Sequence, residues 1–307
     1  MALTHVVLDF DGTCTLVEAT QADFLTEYHR LLGAHVTDLH GAPIGRDFAA
    51  RWDEALAAVR AASPEAGWAT LSRVASAPAH ADPYIAAGEA VAWLERRWLE
   101  ANPGQGIKVP ATLYKDAYDR FPAPWRPEIS AVLQQLVDLD VEVAFVSNSS
   151  EATIGGRLDT LLADVPELRA KITVVGGASK FIVKELDWDG AISRAASKPF
   201  RKLAAAQRHD ALDRPIYLRR GGYYQALLRV WGQAGPSPRS TLIVGDIYEL
   251  DLAMPAALGA HVHLVERAEP FSTCKYEVAL TRKAGGKVSP DLEKLPARAA
   301  KLRKRSR

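Results

Sequence analysis

Cysteine is scarce: Cys14 and Cys274 are the only two in 307 residues. That is too few for a disulfide framework, and no Cys-x-x-Cys pair offers a zinc spacing, so stability has to come from packing. Charge of one sign is also lacking. The 38 Lys and Arg against 37 Asp and Glu leave a formal net charge of +1, which argues against a nucleic-acid binder or an acidic disordered chain. No apolar run approaches the roughly 20 residues that cross a bilayer, and the opening Met-Ala-Leu-Thr-His has neither a basic segment nor a signal-type stretch. The expectation is a cytoplasmic protein with no membrane or nucleic-acid partner. At 48% hydrophobic and 24% charged, the chain has the composition of a globular protein, long enough for one large domain or two smaller ones.

Residues 5–10 form a short, nearly all-apolar run ending at Asp11-Gly12-Thr13, the pattern of a strand buried on both faces followed by a turn. About a hundred residues of different character follow. Apolar positions recur there at helical spacing, as in Phe24, Leu25, Tyr28, Leu31 and Leu32, and again from Phe48 to Val59. Thr20 with Asp23 resembles a capping box, and Ser63-Pro64 and Asp82-Pro83 each set a capping side chain before a first-turn proline. From Pro127 an amphipathic helix, the apolar strand 141–146 and the polar turn Ser147-Asn148-Ser149-Ser150 read as half of a βαβ unit. Further strands are predicted at 172–175, 216–218, 241–244 and 261–265, with helices between them and an irregular stretch up to about residue 215. Strands alternating with helices imply an α/β fold with a doubly wound parallel sheet.

In such a sheet, ligands bind beyond the carboxyl ends of the strands. The polar residues there are Asp9 and Asp11, Ser147 and Asn148, and Asp246 followed by Asp251. Carboxylates converging on one crevice repel one another unless a cation or a bound proton offsets them, which suggests a magnesium site. Asp9 and Asp11, two residues apart at a strand end, can address one ligand from neighbouring positions. Gly12 and Thr13 permit a sharp turn whose N–H groups could hold phosphate oxygens.

Asp9-Phe10-Asp11-Gly12-Thr13, an apolar strand ending in Ser147, and Gly245-Asp246-x-x-x-x-Asp251 together resemble the first, second and fourth motifs of the haloacid dehalogenase-like (HAD) superfamily. The resemblance covers about residues 3–16 and 125–270. It implies a Rossmann-like core over 1–16 and 125–270, with a mostly α-helical cap over 17–124. Residues 271–307 are then an extension with a disordered basic end, where Lys301, Arg303, Lys304, Arg305 and Arg307 cluster. The implied activity is a Mg²⁺-dependent phosphatase acting on a small phosphorylated metabolite. Asp9 is then the nucleophile, Asp11 the general acid and base, and Ser147 a donor to the phosphoryl group, with Gly12, Thr13 and Asn148 binding substrate. The metal falls to Asp9, the main-chain carbonyl of Asp11 and Asp246. Asp251 either orients the metal's water shell or caps a helix, and Asn148 is equally readable as a turn residue.

Members that cleave carbon–halogen bonds lack an acid at the position of Asp11. A phosphotransferase or phosphomutase is the close alternative, and a catalytically weak phosphate-binding protein the more distant one. The chain departs from the family in the third motif, where a lysine is usual before the fourth-motif strand. Here that place reads Leu218-Arg219-Arg220-Gly221-Gly222. Arg220 is the first candidate for the missing cation and Arg219 the second, with Lys180, Lys184 and Lys198 as rivals. Trp52, Trp68, Trp93 and Trp98 read as core of the helical insert, and His261-x-His263 and Cys14 as structural.

Overall fold

The computed structural model describes residues 2–65, 67–70, 73–186 and 192–304, and of 68–70 and 73–76 the backbone alone. Its ten strands are β1 (His5–Leu8), β2 (Gly67–Thr70), β3 (Arg73–Pro78), β4 (Glu142–Val146), β5 (Ile172–Val175), β6 (Ala206–Gln207), β7 (Ile216–Tyr217), β8 (Thr241–Gly245), β9 (His261–Val265) and β10 (Lys287–Ser289). Six of them form one parallel sheet in the order β10-β9-β8-β1-β4-β5. β1 lies in the middle. The alternation of its side chains feeds two cores. Val7 joins Ala144, Val146, Ile243 and Val262 on one face, under the helix Gly221–Trp231. Val6 and Leu8 join Phe145, Leu242 and Val244 on the other, under the helices Ile129–Asp138 and Glu151–Leu161. Leu8 pairs with Phe145 on one side and Val244 on the other, so the residues that follow these strands leave the sheet at one level.

The insert after β1 carries the helices Gln21–His40, Ala42–Ala50, Trp52–Ala62, Pro83–Ala101 and Ala111–Arg120, with a core of its own around Phe24, Tyr28, Leu32, Trp52, Tyr84 and Leu94. Trp52 is buried there, Trp93 and Trp98 only partly, and the side chain of Trp68 lies outside the described residues. Two capping expectations need correction. Thr20 makes no side-chain bond to the helix it precedes, and Ser63 ends a helix, its backbone extended at φ −78° and ψ 143°. The chain then enters an antiparallel hairpin, β2–β3, that helical periodicity did not foresee. Asp82 does cap: its Oδ1 accepts from Ile85 N at 2.6 Å. Ala77 of β3, with Ala81 and Ile85 beyond it, packs on Ile247 and Leu250, which joins the insert to the loop after β8.

The C-terminal segment also needs correction. Residues 271–304 are built into the sheet layer: β10 extends the sheet beside β9, and the helix Leu295–Lys304 buries Leu295, Ala299 and Leu302 against the core of Leu3, Leu133 and Leu136. Fully burying leucines of this kind stabilises by about 1.5–3 kcal/mol each, which outweighs the tendency of a basic end to fray. Lys301, Arg303 and Lys304 fall in the last helical turn, where cations complement the helix dipole. Arg305 and Arg307 lie outside the described residues. No helix among those described is long and apolar enough to cross a membrane.

Candidate functional site

Asp9 is still held by the sheet, its N–H donating to the Val244 carbonyl at 2.9 Å, so its carboxylate is aimed by the ladder. The chain then turns at Gly12 (φ 77°), where a Cβ would stand 2.4 Å from Oδ2 of Asp246. Only glycine permits that approach. The fully buried Thr13 hydroxyl lies 3.2 Å from Asp9 Oδ2 and 3.1 Å from Asp246 Oδ1, linking the ends of β1 and β8. Asp9, Asp246 and Asp251, all buried, each present a carboxylate oxygen within 4.8 Å of the other two.

The cation beside them is Lys180, which corrects the placement of Arg220. Lys180 Nζ donates to Asp9 Oδ1 at 2.6 Å and Asp251 Oδ1 at 2.8 Å, and its side chain is sealed from solvent. The segment carrying it follows β5, so the ammonium arrives from the strand edge next to β4 and not from the helix before β8. Arg220 lies behind it. Its guanidinium donates to the carbonyl of Lys180 and, at 3.2 Å, to that of Tyr217. Two charges cannot share the one space beside Asp9, and Lys180 is the one with the reach. Arg219 turns to Glu185 and the Leu203 carbonyl, Lys184 lies in the segment bridged to Arg220, and Lys198 is exposed on the helix Arg194–Arg201.

Burial pushes the Asp9 carboxyl up to about 7 against the pull of Lys180, and it holds Asp246 well above the usual carboxylate range, where Asp251 adds repulsion. For Lys180, burial works against the charge, but the carboxylates of Asp251 and Asp9 outweigh it and keep the ammonium protonated. Fully ionised, the three buried carboxylates would leave about two negative charges uncompensated by one ammonium, so without a cation the site holds on to protons. Among the described residues, Asp246 Oδ2 has no hydrogen-bond partner although it is fully buried. An all-oxygen donor set with excess negative charge and one unused buried oxygen suits a hard divalent cation such as Mg²⁺. Both oxygens of Asp251 are already engaged, Oδ1 by Lys180 and Oδ2 by Ile247 N at 3.1 Å. Asp251 sits inside a π-helical turn, Tyr248–Leu252, and does not cap the helix that begins at Ala253.

Asp11 points to the other side of the turn. Ser149 Oγ donates to its Oδ2 at 2.5 Å, and Tyr118 Oη, from the insert, to its Oδ1 at 2.9 Å. Burial raises its pKa, and these two bonds and Arg157 work the other way. Ser147 is buried at the end of β4, its hydroxyl accepting from Ser149 N. Asn148 is exposed, and its Oδ1 accepts from Lys180 N at 2.7 Å, so it ties the turn after β4 to the segment carrying the ammonium.

Several contributors had no sequence signal strong enough to single them out. Arg126 donates to the carbonyls of Thr13 (2.9 Å) and Gly12 (3.2 Å), and Arg267 to the carbonyl of Asp246 while pairing with buried Glu277 at 2.6 Å. Ser149 and Tyr118 belong with them; the polar turn after β4 pointed at the first, and nothing local pointed at the second. Cys14 is buried with its thiol pKa pushed well up by burial, then by Asp9, and His263 hydrogen-bonds Ser289, so both are structural.

No family model and no curated protein matches the chain. Solved structures do. YfnB from Bacillus subtilis, provisionally named an HAD-hydrolase and bound to magnesium, aligns over 97% of this chain and 99% of its own at 14% identity, with a TM-score of 0.47. A protein described as a predicted phosphoglycolate phosphatase from Haemophilus somnus aligns over 95% and 96% at 11% identity and 0.48. An HAD phosphatase from Thermococcus onnurineus aligns over 96% and 97% at 12% identity and 0.42.

Proposed function

We propose that the protein is a Mg²⁺-dependent phosphatase of the HAD type, hydrolysing a small phosphorylated metabolite through an aspartyl-phosphate on Asp9. The observation that carries this reading is the buried group of Asp9, Asp246 and Asp251 around the Lys180 ammonium, with Asp246 Oδ2 unpartnered among the described residues beside the turn that presents Asp11. In the first step an Asp9 oxygen bonds to phosphorus, the bond from phosphorus to the ester oxygen breaks, and Asp11 gives its proton to the departing alcohol. In the second, water attacks the same phosphorus and gives a proton to Asp11 as phosphate leaves and Asp9 is freed. Asp9, the main-chain carbonyl of Asp11 and Asp246 would hold Mg²⁺, which when bound supplies positive charge opposite the phosphoryl oxygens.

Lys180 offsets charge on Asp9 and the phosphoryl group. Ser147 would donate to its oxygens, whereas the Gly12 N–H, expected to do the same, is engaged by Thr15 Oγ1 at 3.2 Å. The Asn148 bond to Lys180 N supports a positioning role for Asn148. Tyr118, reaching from the insert to Asp11, supports an insert that covers the acid, so transfer to a second alcohol in place of water remains the alternative of the same chemistry. The proximity of Lys180 to Asp9 favours turnover over a catalytically weak phosphate-binding protein. The test is phosphate release from a panel of phosphomonoesters with Mg²⁺ or with chelator, alongside Asp9→Asn. Release that needs the metal and disappears in Asp9→Asn is expected; release that survives either change overturns the reading.

A further inference from the structure

Asp11 has a tyrosine-lined flank that the phosphoryl chemistry does not use. Tyr84, from the first turn of the helix Pro83–Ala101, packs its ring 5.2 Å from that of Tyr118, which in turn bonds Asp11, while Tyr114 stacks on Tyr118 at 6.3 Å. Tyr84 is 8% exposed, and among the described residues its buried hydroxyl has no hydrogen-bond partner. Nη1 of Arg157 is buried without a partner too. The Arg157 guanidinium lies 5.1 Å from the ring centroids of both Phe10 and Trp125, and its other terminal nitrogen donates to the Ala123 carbonyl. A buried polar group is ordinarily paired, and one left open beside a site is a place for a ligand atom.

We propose that Tyr84, with Arg157, recognises the alcohol half of the substrate, and that this alcohol carries a second oxygen acceptor, a hydroxyl or a carboxylate. The inference rests on the phosphatase reading: the group that protonates the departing alcohol must face it, so Tyr84 on the insert and Arg157 on the helix Glu151–Leu161, which both act electrostatically on Asp11, face the alcohol, as Lys180 and Thr13 face the phosphoryl group. Both open groups are donors. Burial, and then Asp11, hold the Tyr84 phenol far above its ordinary pKa, so it donates at any working pH. Asp82, the other acid acting on Tyr84, has Oδ1 committed to Ile85 N.

Three esters separate the possibilities: carboxymethyl phosphate, hydroxyethyl phosphate and ethyl phosphate, assayed with wild type and Tyr84→Phe, which removes the hydroxyl alone. The variant should lose about 10- to 100-fold in kcat/KM on the carboxylate ester if that is the natural acceptor, or about 3- to 10-fold on the hydroxyl ester. Ethyl phosphate should be unaffected. The melting temperature should not fall, because the hydroxyl has no partner to lose. An equal loss on all three esters, or a lower melting temperature, assigns the hydroxyl to the fold and overturns the proposal. The phosphatase reading itself stands or falls on the wider panel with Asp9→Asn, so if wild type turns over none of these three, binding is read in place of turnover. Calorimetric binding of the same esters to both proteins then decides: a preference for the oxygen-bearing esters that Tyr84→Phe abolishes supports the proposal, and equal binding overturns it.

Discussion

Replacing Lys180 by Met removes the ammonium that contacts Asp9 and Asp251 while keeping most of its volume. At 2.6 and 2.8 Å, each ion pair is worth about 6 kcal/mol by Coulomb's law at an effective dielectric of about 20, most of it spent on desolvating the charges. What stability registers is the cost of breaking a buried pair, about 3–5 kcal/mol, because the carboxylates are left without a counter-charge. Protonation limits that cost. The Asp9 carboxyl already titrates at about 7, and losing Lys180 raises it further, so at about pH 5 the cluster takes up a proton and much of the loss disappears. Urea unfolding of the metal-free protein should therefore show a deficit of several kcal/mol at about pH 8 that shrinks at about pH 5, and kcat should fall by about 10²- to 10³-fold, the usual loss for one stabilising donor. Arg220→Met strands the carbonyls of Lys180 and Tyr217 at about 1–3 kcal/mol each, with no comparable pH dependence. A pH-independent deficit in Lys180→Met, or retained turnover there with loss confined to Arg220→Met, refutes the assignment.

The wild-type protein without metal should itself lose stability with rising pH. Asp9 at about 7 and Asp82 at about 6 are both raised above the ordinary 3.8, by burial first. The folded chain thus binds more protons than the unfolded one between about pH 4 and 7, and stability declines across that window. Thermal melts with chelator should show the decline, Mg²⁺ should reverse most of it, and Asp82→Asn should flatten it while keeping the helix cap; a rise with pH would contradict the burial argument. Gly12→Ala puts a Cβ 2.4 Å from Asp246 Oδ2 at a positive φ, so it should cost at least about 1 kcal/mol and weaken Mg²⁺ binding in a calorimetric titration. Arg267→Met should destabilise by about 3–5 kcal/mol, and adding Glu277→Leu should recover part of the loss, since the single change leaves a buried carboxylate unpaired; additive losses in the double variant would argue against that pairing.

The parallel sheet was legible, except that the strand expected at 216–218 pairs antiparallel with β6 outside it, because its strands are short apolar runs ending in polar residues, and the acids at those ends fall together because parallel strands in register deliver their next residues to one edge. The β2–β3 hairpin and the strand β10 were not, because neither carries a distinctive alternation and both are fixed by what they pack on. Lys180 was visible only as one of several cations in an irregular stretch. Choosing it over Arg220 depends on where the segment after β5 turns, which is set by Asn148, by the Arg220 bond to its carbonyl, and by the close packing at Gly221, where a Cβ would stand 2.4 Å from the Glu185 carbonyl oxygen. These are contacts between distant parts of the chain, and local periodicity has no term for them.

The same contacts explain how so many buried acids are tolerated near one another. Three buried arginines grip the loops of the site by their main chain: Arg126 at Gly12 and Thr13, Arg220 at Lys180, and Arg267 at Asp246. A guanidinium has five donors in a plane and stays charged when buried; even Arg220, lowered to about 10 by burial, is protonated at neutral pH. Bonded to carbonyls, these arginines brace the rear of the cluster without occupying an oxygen of Asp9, Asp246 or Asp251, and Arg267 is itself paired with Glu277. Lysine in those places would offer its donors from a single point, without the planar fork that Arg126 sets across the carbonyls of Gly12 and Thr13. The arrangement fixes the backbone that aims Asp9 and Asp246 and leaves Asp246 Oδ2 open among the described residues, a combination that the proposed metal-assisted phosphoryl transfer requires and that acids merely sequestered in a core would not need.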